Sequence, residues 1–185
     1  MRLVLVVLAL LGLLMDCGVS GAAEVALTSV GQNSDVILAR ALFKSLAVEV
    51  DAADLMTAKD LNEQRILVAV VGASAKGLNA AGSNADREAL RAKALFEAAR
   101  RRRMKILVMC IGGEKSRGRL SDFFIRMSVP YAGALIVTEA SNADAIFDSL
   151  TEGLDIWMRS VPGIRDVKEP LKSILSLWKI NQNFS

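Results

Sequence analysis

Ile66-Leu67-Val68-Ala69-Val70-Val71 is six apolar residues long, has no polar interruption, and breaks at Gly72-Ala73-Ser74. A strand with one wet face alternates apolar and polar residues. A continuous β-branched run of this length instead fits a strand buried on both faces, as in a parallel sheet covered by helices. Similar runs recur on either side: Val25 to Thr28, Ile106 to Ile111 and Leu135 to Thr138. Val48-Glu49-Val50 is short enough for an edge strand, and Leu154 to Met158 is a further possible strand.

Helical spacing fills the intervals. Leu38, Ala41, Leu42 and Ser45 follow i, i+3, i+4, i+7 after the caps Asn33-Ser34, with Asp35 in the first turn. From about Asn84 to Arg103, Ala92, Leu95, Phe96 and Ala99 mark an apolar face, with Arg87, Glu88, Arg91 and Glu97 on the remainder. Shorter helices are predicted over Leu120 to Met127 and Ala143 to Leu150. A last one places Leu171, Ile174, Leu175 and Trp178 on one face, with Pro170 in its first turn. Alternating strands and helices predict an α/β fold: a single doubly wound, mainly parallel sheet of about five strands in three layers, with the flavodoxin-like order 2-1-3-4-5.

The chain of 185 residues begins Met1-Arg2, continues through the apolar run Leu3 to Met15, and reaches the small residues Ser20-Gly21-Ala22-Ala23. This is the order of an export signal, and the apolar run is shorter than the roughly 20 residues of a spanning helix. The expected division is a signal peptide over 1–23, cut after Ala23, and one α/β domain with a C-terminal helix over 24–185. That predicts a periplasmic or extracellular protein with no stable membrane span. A lipoprotein is disfavoured because Met15-Asp16 precede Cys17 where small residues are expected.

There are 23 Lys plus Arg against 20 Asp plus Glu, and Arg2 and Asp16 leave together with the leader, so the charge stays at +3. That is too weak to imply nucleic acid. The run Arg100-Arg101-Arg102-Arg103 suits the negative end of a helix dipole and has no interleaved aromatics. With no histidine, Ser-His-Asp and Cys-His pairs are excluded, and two cysteines make no four-cysteine metal site. Cys110 lies inside an apolar run and is expected to be a buried thiol.

On such sheets ligands bind beyond the carboxyl ends of the strands. The first run ends in Thr28-Ser29-Val30-Gly31-Gln32-Asn33-Ser34-Asp35, rich in hydroxyls and amides. Gly72 to Ser83 is a long, small-residue loop carrying Gly72, Ser74, Lys76 and Gly77. It is no phosphate-binding P-loop, because Leu78-Asn79 stand where Lys-Ser/Thr is required, and no Gly-x-Gly-x-x-Gly occurs in it. Gly112-Gly113-Glu114-Lys115-Ser116-Arg117-Gly118-Arg119-Leu120-Ser121-Asp122 is the densest set of charges. The predicted ligand set is therefore Ser29, Gly31, Gln32, Gly72, Ser74, Lys76, Gly77, Gly112, Gly113, Glu114, Arg117, Ser121 and Asp122, with no metal and no cofactor specified.

These motifs, Ser29-x-Gly31-Gln32-x-x-Asp35, Gly72-x-Ser74-x-Lys76-Gly77 and Gly112-Gly113-Glu114-x-x-Arg117-Gly118-x-Leu120-Ser121-Asp122, resemble a family of exported bacterial proteins classed as a domain of unknown function. The resemblance runs from about Val25 to the last helix and implies no activity, substrate or cofactor.

The expected function is binding of a small anionic ligand, with Lys76 and Arg117 supplying charge, Ser29, Ser74 and Gln32 hydrogen bonds, and glycine amides the cradle. One alternative is a hydrolase or transferase using Ser74 with Lys76, or Glu114 with Asp122. Another is a cell-envelope interaction module in which the arginine run, or the final helix with Trp157 and Trp178, docks a partner.

Overall fold

The computed structural model describes residues 23–179. The expected leader lies outside the described residues except for Ala23. Six parallel strands form one sheet: β1 (Val25–Val30), β2 (Val50–Ala52), β3 (Ile66–Val71), β4 (Lys105–Cys110), β5 (Ala134–Thr138) and β6 (Trp157–Val161). Their order is β2-β1-β3-β4-β5-β6. The flavodoxin-like order is present, and β6 extends it past the expected five strands. β1, β3 and β5 are buried along their whole length; β3 is apolar throughout, whereas β1 also buries Thr28 and Ser29 and β5 buries Thr138.

Helices cover both faces. On one side lie α1 (Asp35–Ser45) and the C-terminal α6 (Lys168–Leu177), packed on Val25, Leu27, Val68 and Ile136. The short α2 (Ala75–Ala80) follows the end of β3, and on the other face lie α3 (Ala85–Arg101), α4 (Arg119–Ser128) and α5 (Ile146–Thr151). Phe96, Phe124 and Phe147, all fully buried, fill that second layer against Ala69, Val108 and Leu135. α3 starts where Asn84 Oδ1 accepts the Arg87 N–H, and it carries Asp86 and Glu88 in its first turn and Arg100 and Arg101 in its last. Both ends thus complement the helix dipole. Arg100 also sits over the Tyr131 ring at 4.6 Å, and Arg102 donates to the Asn62 carbonyl, so the arginine run is partly spent on its own fold.

Three sequence expectations need correction. The buried face of α1 is Val36, Ala39 and Phe43, whereas Leu38 is 42% exposed and Ala41 and Ser45 face solvent. Seven of the nine residues from Val36 to Lys44 are apolar, so spacing alone selects no unique stripe. The last strand begins at Trp157 rather than Leu154, because β6 is an edge whose partly exposed residues carry no continuous apolar run. Gly72 to Ser83 is not an open loop either. It holds α2, capped by Ser74 Oγ accepting the Gly77 N–H at 3.1 Å.

Among the described residues, no helix is long and apolar enough to cross a membrane. The corrected face of α1 is testable by urea unfolding. Phe43→Ala should cost about 3–5 kcal/mol by opening a core cavity, while Leu38→Ala should change stability by less than about 1 kcal/mol.

Candidate functional site

β1 is flanked by β2 on one side and β3 on the other, so the chain reverses its direction of winding there and a crevice opens beyond the carboxyl ends of β1 and β3. The turn that leaves β1 is unusual. Gly31 has φ +91° and Gln32, a residue with a side chain, has φ +58°. A Cβ on Gly31 would lie 2.4 Å from the Gly72 carbonyl oxygen, so both conformation and space require glycine.

An ion pair on α3, between the fully buried Glu88 and the largely buried Arg91, holds this turn. Glu88 Oε1 accepts the Gly31 N–H at 2.9 Å, Gln32 Nε2 at 3.2 Å and Arg91 Nη2 at 2.6 Å, while Oε2 accepts Arg91 Nε at 2.8 Å. Arg91 also donates to the carbonyls of Ser29 and Met56. Glu88 is 0% exposed, which corrects its expected place on the solvent face of the helix. The sequence does carry the sign, since Glu88 precedes Ala92, Leu95, Phe96 and Ala99 at offsets 4, 7, 8 and 11 and so continues their stripe.

The other polar groups are interlocked. Ser29 Oγ accepts the Asn33 N–H at 3.1 Å, and Asn33 Nδ2 donates to the carbonyls of Val70 and Gly72, tying the end of β1 to the end of β3. Ser121 Oγ accepts the Ala73 N–H at 2.9 Å, docking α4 against the same junction. Ser116 Oγ donates to Asp35 Oδ2 at 2.5 Å. This approach requires glycine at 112, where a Cβ would stand 2.1 Å from Asp35 Oδ2.

The crevice has a volume of about 610 Å³ and is bounded by the β1–α1 turn, the start of α2 and the segment after β4. Of the predicted set, Gln32, Ser74, Lys76, Gly77 and Gly112 line it, joined by Asn33, Asp35, Lys115 and Ser116, which sequence reasoning had not placed in the site. Ser29, Gly31, Gly72 and Ser121 instead build its walls from behind. A smaller recess of about 400 Å³ shares Gln32, Asn33, Ser34 and Gly77 and extends toward Asp54 and Leu55.

Gly113, Glu114, Arg117 and Asp122 stand apart from the crevice lining. Arg117, expected to offer a forked donor, engages all three of its nitrogens within the protein. Nε donates to Asp122 Oδ1, Nη1 to the Ser141 carbonyl and Asp144 Oδ1, and Nη2 to Asp144 Oδ2. That guanidinium pulls the Asp144 carboxyl from 3.8 down to about 2. Glu114 is exposed and Asp122 is held by Arg117, so the two form no carboxylate pair. Cys110 is buried, which pushes its thiol up to about 11. Among the described residues no three His, Cys, Asp or Glu side chains gather as a metal-ligand group.

Two measurements check these assignments. Glu88→Ala strands the Arg91 charge and should cost about 3–5 kcal/mol in denaturant unfolding. The folded-state carboxyl of Asp144 is depressed, so its contribution is complete above 3.8 and fades as pH falls toward about 2. Asp144→Asn should therefore lower the melting temperature near neutral pH and show a shallower loss of stability across that acid window.

No curated protein matches the chain. Among solved structures it is similar to AlinE4, an SGNH-hydrolase family esterase, at 12% identity and a TM-score of 0.32, over 86% of this chain and 94% of the esterase. Two variants of that esterase match at 13% and 11% identity, each with a TM-score of 0.31 over the same shares of both chains. A likeness this slight assigns no residue a role. The family comparison is of another order: a model described as a domain of unknown function (DUF6305) matches residues 22–175, and the chain belongs to that family.

Proposed function

We propose that this domain binds a small anionic ligand in the crevice between the ends of β1 and β3. The observation that carries this reading is the distribution of positive charge around that crevice. Arg91 is consumed by Glu88 and Arg117 by Asp122 and Asp144, whereas Lys76 and Lys115 line the crevice and form no ion pair among the described residues. Two uncommitted ammonium groups on a polar crevice of this size suit a carboxylate or phosphate. Compared with the sequence expectation, Lys115 takes the place of Arg117 as the second cation, and Arg117 becomes a brace for the segment that carries Lys115 and Ser116.

The rigidity of the lining supports binding. Gln32 is held by Glu88 and the Asp54 carbonyl, Asn33 by two β3-end carbonyls, and Ser116 by Asp35, so little side-chain freedom remains to be lost when a ligand arrives. The same engagement weighs against the serine-nucleophile alternative, because Ser74 Oγ caps α2 and Ser29 Oγ is occupied by Asn33. The leader-like order of residues 1–23 supports a site of action outside the cytoplasm.

Thermal-shift titration with small carboxylates and phosphates tests the reading. A ligand at about a hundred times its Kd should stabilise the fold by about 2.7 kcal/mol, and the joint Lys76→Ala, Lys115→Ala variant should lose that shift. A shift that survives in the double variant, or no shift with any anion, would overturn the assignment.

A further inference from the structure

The crevice that holds Lys76 and Lys115 also contains a negative charge. Asp35 is only 7% exposed, yet it forms no ion pair among the described residues. Its Oδ2 accepts the Ser116 hydroxyl, and its own N–H is taken by Asn33 Oδ1. Oδ1 accepts no hydrogen bond among the described residues, and it is not among the buried polar atoms sealed from solvent without a partner. One hydroxyl and the dipole of α1 offset only part of the cost of burying a carboxylate.

The surroundings make room for this group. Glycine at 112 admits Asp35 Oδ2, since a Cβ there would overlap it, and the 3-10 turn Glu114–Ser116 brings the Ser116 hydroxyl onto it. A purely anionic ligand would be repelled by an uncompensated carboxylate in the same crevice. A ligand that carries a cationic group as well as an anionic one satisfies both ends at once.

Resting on the anion-binding reading above, we infer that the ligand is zwitterionic: an ammonium or similar cationic group pairs with Asp35 while its carboxylate or phosphate meets Lys76 and Lys115. Asp35 is the specificity determinant in this arrangement, and the lysines supply attraction common to all anions.

Matched pairs of probes separate the two readings on the native full-length protein. Glutamate against glutarate, 4-aminobutyrate against butyrate, and phosphoethanolamine against ethyl phosphate differ only in the amine. The expected result is that at least one amine-bearing member binds about tenfold or more tightly than its deaminated partner, as read by thermal shift and calorimetry. Asp35→Asn keeps an acceptor for Ser116 and should erase that preference, while the double lysine variant should weaken both members of the pair. Deaminated acids that bind as tightly as their amines would overturn the zwitterion inference and leave the anion reading standing. A preference that persists in folded Asp35→Asn would also overturn it. No binding by any member would remove both. Because the paired comparison needs no variant, poor folding of Asp35→Asn leaves the inference falsifiable.

Discussion

The Glu88–Arg91 pair is the constraint on which the crevice depends. A carboxylate with no solvent exposure is tolerated only when its acceptor positions are filled, and Glu88 receives the Gly31 N–H, the Gln32 amide and two nitrogens of Arg91. Three of these four donors belong to charged or amide side chains, so removing any one unbalances the rest. What the pair achieves is geometric. It reaches from the first turn of α3 to the far end of β1 and fixes a turn whose two consecutive residues have positive φ. Gln32 at φ +58° carries a backbone cost of order 1 kcal/mol, which persists because Glu88 and the Asp54 carbonyl hold its side chain.

From that fixed turn the remaining order spreads by short steps. Asn33 links β1 to β3, Ser121 links β3 to α4, Ser116 links the segment after β4 to α1, and Arg117 braces that segment against Ser141 and Asp144. Each link joins elements far apart in sequence, so the polar network does at the carboxyl ends of the inner strands what the apolar layers do across the sheet's faces. The crevice is therefore rigid on the sides set by β1, β3 and β4. Flexible charge is concentrated in the long side chains of Lys76 and Lys115.

The sequence made the inner strands legible because burial on both faces leaves uninterrupted apolar runs, and β3 matches its run residue for residue. The edge strands β2 and β6 were harder, since a half-exposed strand of mixed composition has no such mark. α1 shows a second limit: a helix apolar on nearly every side hides the stripe that packs, so the expected stripe took in Leu38 and left out Phe43. The site was legible as a place more than as a set of groups. Glycines and hydroxyls at strand ends located the crevice, but which cations remain uncommitted depends on partners such as Asp144, twenty-seven residues from Arg117 in sequence. Asp35 was legible as a first-turn acid but not as a group of the crevice, because a first-turn acid normally faces water and here Gly112 and Ser116 enclose it.

Cys110 has a consequence for how this protein meets oxidants. It is fully buried on the central strand β4 and is the chain's only cysteine beyond residue 17. The sequence beyond residue 17 therefore can form no disulfide within itself, in an oxidising or a reducing compartment. A thiol raised to about 11 and shut away from solvent is inert while the sheet is intact. Its alkylation marks the moments when the central strands separate, which makes the residue a built-in clock for global opening of the native state.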